Sequence, residues 1–86
     1  MTKLTIEKLK NRIKRKEYIR DIFLDEKAHF EESIRNLAEK VKNIGIKINE
    51  DVYAKALYHY FDSNIEILNK EIEDTKTLIK EFDLNN

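Results

Sequence analysis

Glu26 and His29 stand three residues apart, and His59 and Asp62 repeat that spacing further along the chain. Residues at i and i+3 share a helix face, so each pair could offer a carboxylate and an imidazole to one metal ion, as in helical bundles that hold carboxylate-bridged iron. Such centres need further carboxylates at the same level, and ordinary surface histidines satisfy the same pattern. No metal or cofactor is expected. With no Cys, no Gly-rich phosphate loop and no nucleophile spaced to meet a base, the chain is not expected to be an enzyme.

A second constellation is electrostatic. The first 20 residues hold eight cations (Lys3, Lys8, Lys10, Arg12, Lys14, Arg15, Lys16 and Arg20) against Glu7 and Glu17, a surplus of six. The whole chain is neutral, so the remaining residues carry six net negative charges. Cations on successive helical turns can track phosphates and displace counterions, which makes Lys3, Lys8, Lys10, Arg12, Lys14, Arg15 and Lys16 candidate phosphate contacts. Aromatic residues for base stacking are missing from this stretch until Tyr18. Pairing with the acidic remainder of the chain competes with the phosphate role.

The third constellation is aromatic. Tyr53, Tyr58, Tyr60 and Phe61 fall within nine residues, and one helix cannot aim all of them at one core. Phe61 with Tyr53 or Leu57 is expected inward, leaving at least one of Tyr58 and Tyr60 outside. Tyr offers a large apolar area and a hydroxyl with few rotatable bonds, so Tyr53, Tyr58 and Tyr60 form a candidate partner-binding set. Cover from a second copy or from the nearby connector is the competing explanation.

Helices must position these residues. The chain has no Pro, one Gly, and two fifths of its residues charged, while its apolar residues are numerous and regularly spaced. The fold class is all-α. Phe23, Phe30, Ile34, Leu37, Val41 and Ile44 follow alternating steps of four and three with only Lys27 polar between them, a heptad seam. Ile6, Leu9 and Ile13 continue it upstream, but Lys16 and Arg20 occupy the next two seam positions and the apolar residues move to Ile19 and Ile22. The stripe is therefore expected to drift there, with the first dozen residues leaving the bundle axis. Gly45 marks the end of the first helix, and Asn49 reads as the N-cap of a second that begins at Glu50. Its seam is Phe61, Ile65, Leu68, Ile72, Thr75, Ile79 and Phe82. Asp62, Ser63 and Asn64 are weak helix formers and could mark a kink, yet a continuous helix is preferred.

The expected architecture is one domain, residues 1–86, forming a long antiparallel hairpin of helices over about residues 4–43 and 50–82. Folding about position 47 sets Phe23 near Ile72, Phe30 near Ile65 and Ile34 near Phe61. It also sets Lys14 to Lys16 level with Ile79 to Glu81, within reach of Glu81 and Asp83, and Arg20 opposite Asp74 and Thr75. Lys3, Lys8 and Lys10 then remain as an uncommitted positive tip. The rod should be roughly 50 Å long at 1.5 Å per residue.

Two helices share one contact line and enclose no core, while Ile19, Ile22, Leu24, Ile67 and Leu78 flank the seams. A homodimeric four-helix bundle or coiled coil is therefore expected, or a hairpin completed by another protein. A parallel dimer would join its basic ends, and an antiparallel one would set each against Glu39, Glu50 and Asp51 of the other copy. No run of apolar residues is long enough for a membrane span and no leader is visible, so the expected location is the cytoplasm. The expected function is that of a small protein–protein interaction or regulatory protein, of the inhibitor, antitoxin or adaptor kind that phages and mobile elements encode. The alternative is a nucleic-acid accessory protein that uses the basic N-terminal helix.

Overall fold

The computed structural model describes residues 2–85, with side chains through residue 83. The chain forms α1 (Lys3–Lys42), then α2 (Glu50–Leu57), a π-helical turn (Tyr58–Asp62) and α3 (Ser63–Asn85). The described residues are helical apart from caps and one connector, and α3 returns antiparallel along α1. The molecule measures 66 × 18 × 13 Å, as a helix of 40 residues requires; the expected 50 Å counted arms of only about 35 residues.

Each helix end has a local cause. Thr2 caps α1, its Oγ1 accepting the Thr5 N–H at 3.3 Å. At the far end the Gly45 N–H reaches the Lys42 carbonyl and the Ile46 N–H reaches the Val41 carbonyl, the paired bonds of a Schellman turn. Gly45 sits at φ +82°, where a Cβ would be strained. Asn49 then caps α2 as its sequence position implied, with Oδ1 accepting from the N–H groups of Asp51 (3.0 Å) and Val52 (3.2 Å). Glu50 and Asp51 lie at the positive end of the helix dipole.

The register of the hairpin differs from the expected one. Arg20 meets Asn69 instead of Asp74 or Thr75, Lys16 meets Glu71 instead of Ile79, and Phe30 packs on Phe61 instead of Ile65. The partner lies four to eight residues nearer the turn than simple folding about position 47 gives. The connector is the reason. After Gly45 reverses the chain, Ile46 and Ile48 run back beside α1, so that Ile48, Glu50 and Tyr53 line one groove with Ile34, Ala38 and Lys42. The second arm thus begins alongside the last turns of α1, not above its end.

The expected drift of the first seam does not occur. Ile6, Leu9, Ile13, Lys16, Arg20, Phe23, Lys27, Phe30 and Ile34 keep steps of three and four, and every one is buried or half-buried. Leu9, expected to stray from the axis, instead forms the best-covered part of the core with Ile13, Ile72 and Ile79; Ile72 is only 1 % exposed. Ile19 and Ile22 point outward, and Leu37 and Ile44 of the expected seam are also exposed. The second seam is as expected, with Phe61, Ile65, Leu68, Ile72, Thr75, Ile79 and Phe82 all at least half-buried. Thr75 fits there because its hydroxyl donates to the Glu71 carbonyl at 2.7 Å.

The second arm is continuous but not uniformly α-helical. From Tyr53 through Leu57 and Phe61 to Ile65 the inward residues are spaced four, four and four, one residue more than a heptad pattern allows. The π turn absorbs that residue: the Ser63 N–H bonds the Tyr58 carbonyl five residues back. The carbonyls of His59 and Tyr60 are met by the side chains of Ser63 (3.2 Å) and Asn64 (3.4 Å). Two weak helix formers therefore stand where a widened turn needs extra donors. Deleting His59 should restore an α-helical repeat with Tyr53, Leu57, Phe61 and Ile65 still inward. Its Tm by circular dichroism is expected to match or exceed that of the parent, whereas deleting Lys70, which rotates one part of the α3 seam against the other, should lower it by about 10 °C or more.

Candidate functional site

The basic segment divides once the arms are in register. Lys16 occupies a seam position and its Nζ pairs with Glu71 of the opposite arm. Arg20, one step on, donates from Nη1 to Asn69 Oδ1 at 3.2 Å and lies beside Glu17 and Asp21. Lys27 completes the series, with Nζ 2.7 Å from Asp62 and 3.9 Å from Glu31. Long stems cover apolar neighbours while the charged heads reach acceptors at the edge, which is how three cations can share a seam with Leu and Ile. The carboxylate hydrogen bond of Asp62 holds the Lys27 pKa above its ordinary value of 10.5, against the opposing effect of burial; the Asp62 and Glu31 charges and Tyr53 add to the rise.

The other cations stay outside. Among the described residues, Lys3, Lys8, Lys10, Arg12, Lys14 and Arg15 have no carboxylate within 4.0 Å, and all six are exposed. Glu81 and Asp83, expected to neutralise Lys14 to Lys16, make no such pair. Lys8, Arg12, Lys14 and Arg15 border one open groove on α1, together with Thr5 and Asn11. Such a surface can take anions by charge alone; it has neither a buried donor nor an aromatic platform.

The aromatic set divides as well. Tyr53 turns inward and stacks on Phe30 at a centroid distance of 6.1 Å, with Phe61 on the same ring at 5.6 Å. Tyr58 and Tyr60 are 54 % and 61 % exposed, and Tyr60 meets His59 edge-on at 5.0 Å. Ile34, Ala38, Ile46, Ile48 and Tyr53 form the apolar wall of an open groove of about 620 Å³ that Arg35 and Lys42 border. The sequence reading named the tyrosines but not this groove, whose walls depend on the backward run of the connector.

The two histidine pairs do not converge. Asp25, Glu26 and His29 hold ligand atoms within 4.8 Å of one another on one exposed face of α1. His59 meets Tyr60 edge-on, and Asp62 is engaged by Lys27. Among the described residues the second arm adds no ligand to the α1 group, so the set is three exposed side chains from a single helix. No helix among the described residues is long and apolar enough to cross a membrane.

No protein-family model, curated protein or solved structure matches this chain. Its reading therefore rests on its own surfaces.

The seam pairs are open to direct measurement. A double-mutant cycle of Lys27→Gln and Asp62→Asn should return a coupling free energy of about 0.5–1 kcal/mol at neutral pH, as expected for a partly exposed pair. Because the folded state raises the Lys27 pKa, this contribution is intact below pH 10.5 and is lost as pH rises through the folded pKa. Urea unfolding of the four variants on either side of that pH checks both statements.

Proposed function

We propose that the protein is a small, non-enzymatic, cytoplasmic interaction protein of the inhibitor, antitoxin or adaptor type. On this reading it works as a homodimeric four-helix bundle and acts by occupying a partner's surface. The observation that carries the proposal is the imbalance between covered and uncovered apolar side chains. Among the described residues Leu9, Ile13, Ile72 and Ile79 are the buried apolar ones, whereas large ones such as Tyr18, Ile22, Leu37, Val52, Tyr58 and Ile67 are exposed. The chain exposes 7029 Å². A compact monomer of its mass exposes about 5,400 Å², leaving an excess of about 1,600 Å² per chain. Association of two chains can cover about twice that area, within the range of obligate dimers.

Both grooves are open, and neither sets a nucleophile beside a base and an orienting group, which supports a binding role over a chemical one. Tyr58 lies outside the seam near the turn end, where a rigid aromatic anchor is available to a heterologous partner. Sedimentation equilibrium at micromolar concentration should give twice 10.4 kDa; a folded monomer would overturn the dimer. Affinity capture with nuclease and salt controls should retain a protein that Tyr58→Ala loses while the dimer persists.

A second reading has its own observation, the unpaired cations Lys8, Arg12, Lys14 and Arg15 around one groove. It makes the protein a nucleic-acid accessory factor. If those four residues neutralise four phosphates, affinity for an oligonucleotide should fall about a hundredfold between 50 and 200 mM salt. Fluorescence anisotropy measures this directly, and absence of binding at low salt would end the reading.

A further inference from the structure

The groove beside the connector combines an uncovered apolar floor with a positive rim. Along this part of α1 the half-buried residues Ile34, Ala38 and Val41 follow steps of four and three, and Ala38 is the small one among them. A small side chain there leaves room between α1 and the connector, whose Ile46 is 55 % exposed. The walls are fixed before anything binds. The N–H groups of Gly45 and Ile46 donate to the carbonyls of Lys42 and Val41 at 3.0 and 2.9 Å, Asn49 caps the helix that follows, and Tyr53 is stacked on Phe30. A site already ordered loses little affinity to the ordering of its own chain.

Arg35, Lys42 and Lys47 line this groove, are exposed, and have no carboxylate within 4.0 Å among the described residues. Its two carboxylates have positive company of their own: Glu31 lies 3.9 Å from Lys27, and Glu50 stands in the first turn of α2, at the positive end of that helix. Glu32 and Glu39, on either side of Arg35 in α1, do not line it. An occupant must therefore bring apolar side chains and negative charge together. From Glu31 to Lys42 the groove follows α1 for roughly 16 Å, about three helical turns, and Arg35 and Lys42 stand about two turns apart. It is open along its length. An acyl chain, apolar all round, would be left partly in water there, whereas an amphipathic helix needs cover on one face only. Carboxylates two turns apart on such a helix would reach both Arg35 and Lys42.

We propose that the connector groove is the docking site for an acidic amphipathic helix of a partner protein, its apolar side chains over Ala38 and Ile46 and its carboxylates on Arg35 and Lys42. The inference rests on the interaction role proposed above; it adds a surface, since Tyr58 does not line this groove, and the chemistry of what that surface receives. Panning a library of displayed random peptides against the wild-type chain tests it without presupposing the partner. Recovered peptides should carry Leu, Ile or Phe at helical spacings of three and four with Asp or Glu flanking them. Fluorescence anisotropy of one labelled peptide should show about a tenfold or greater loss of affinity in the double variant Arg35→Glu, Lys42→Glu, and again in Ala38→Leu, which puts a larger side chain into the groove. Ile46→Ala trims an exposed residue and tests the apolar wall even where Ala38→Leu shifts the connector. Circular dichroism confirms that each variant keeps its helicity.

Recovery of no acidic amphipathic peptide, or of one that binds the groove variants undiminished, overturns the inference. So does a peptide lost instead from the double variant Lys8→Glu, Arg12→Glu, because the basic groove near the N-terminus is then its site. If sedimentation shows that the groove variants dissociate a wild-type dimer, a second copy is the occupant and the inference fails as well. The interaction role is read separately: a host protein retained by the wild-type chain and lost from Tyr58→Ala leaves that role standing when the peptides fail.

Discussion

Three cations in an apolar seam constrain everything else in this molecule. Lys16, Arg20 and Lys27 stand where a heptad pattern would ordinarily place Leu or Ile, and each must find an acceptor at the boundary of the seam or be left desolvated. Glu71, Asn69 and Asp62 supply those acceptors from the opposite arm. Sliding one arm by a heptad would still lay apolar residues on apolar residues, because the seam repeats; it would not bring all three cations to their partners. Hydrophobic burial makes the arms associate, and the connector and the polar pairs agree on the register. Both groups remain near solvent, so each pair contributes modestly to stability. Their effect lies in the gap between the native register and its neighbours.

Much of this was legible in the sequence, and the failures have physical reasons. Gly45 and Asn49 located the connector because a left-handed backbone and an unsatisfied helix N-terminus each demand particular side chains. The second seam was visible because its apolar residues are unbroken from Phe61 to Phe82. On the first helix, Lys16 and Arg20 were mistaken for a departure from the seam, since periodicity treats a cation as a gap and cannot see the acceptor awaiting it. Ile19 and Ile22 then looked like the seam's continuation. The register was misjudged because the connector was taken as the fold's midpoint, whereas Ile46 and Ile48 travel back beside α1.

The π turn was also written in the spacing. Steps of four, four and four from Tyr53 to Ile65 hold one residue too many, and Ser63 and Asn64 supply donors for the turn that accommodates it. The candidate sites were harder to read because they depend on register. Lys16 belonged to the basic run until its partner was known, and Tyr53 belonged to the aromatic surface until Phe30 was found against it. What stayed outside is the row Lys8, Arg12, Lys14 and Arg15 on α1 and the exposed Tyr58 and Tyr60 on the second arm.

The best-packed cluster joins Leu9 and Ile13 to Ile72 and Ile79, residues far apart in the chain and at the end of the rod opposite the connector. A hairpin is usually imagined as held at its turn and loose at its tips. Here the tight contacts close the far end like a clasp, while the turn end carries exposed Ile44, Ile46 and Val52. Forming that clasp requires most of both helices to be in place first, because only rigid arms of this length can bring such distant residues together at an acceptable entropic cost. Apolar cover is thus greatest where the stretch of chain to be closed is longest, and least around the connector.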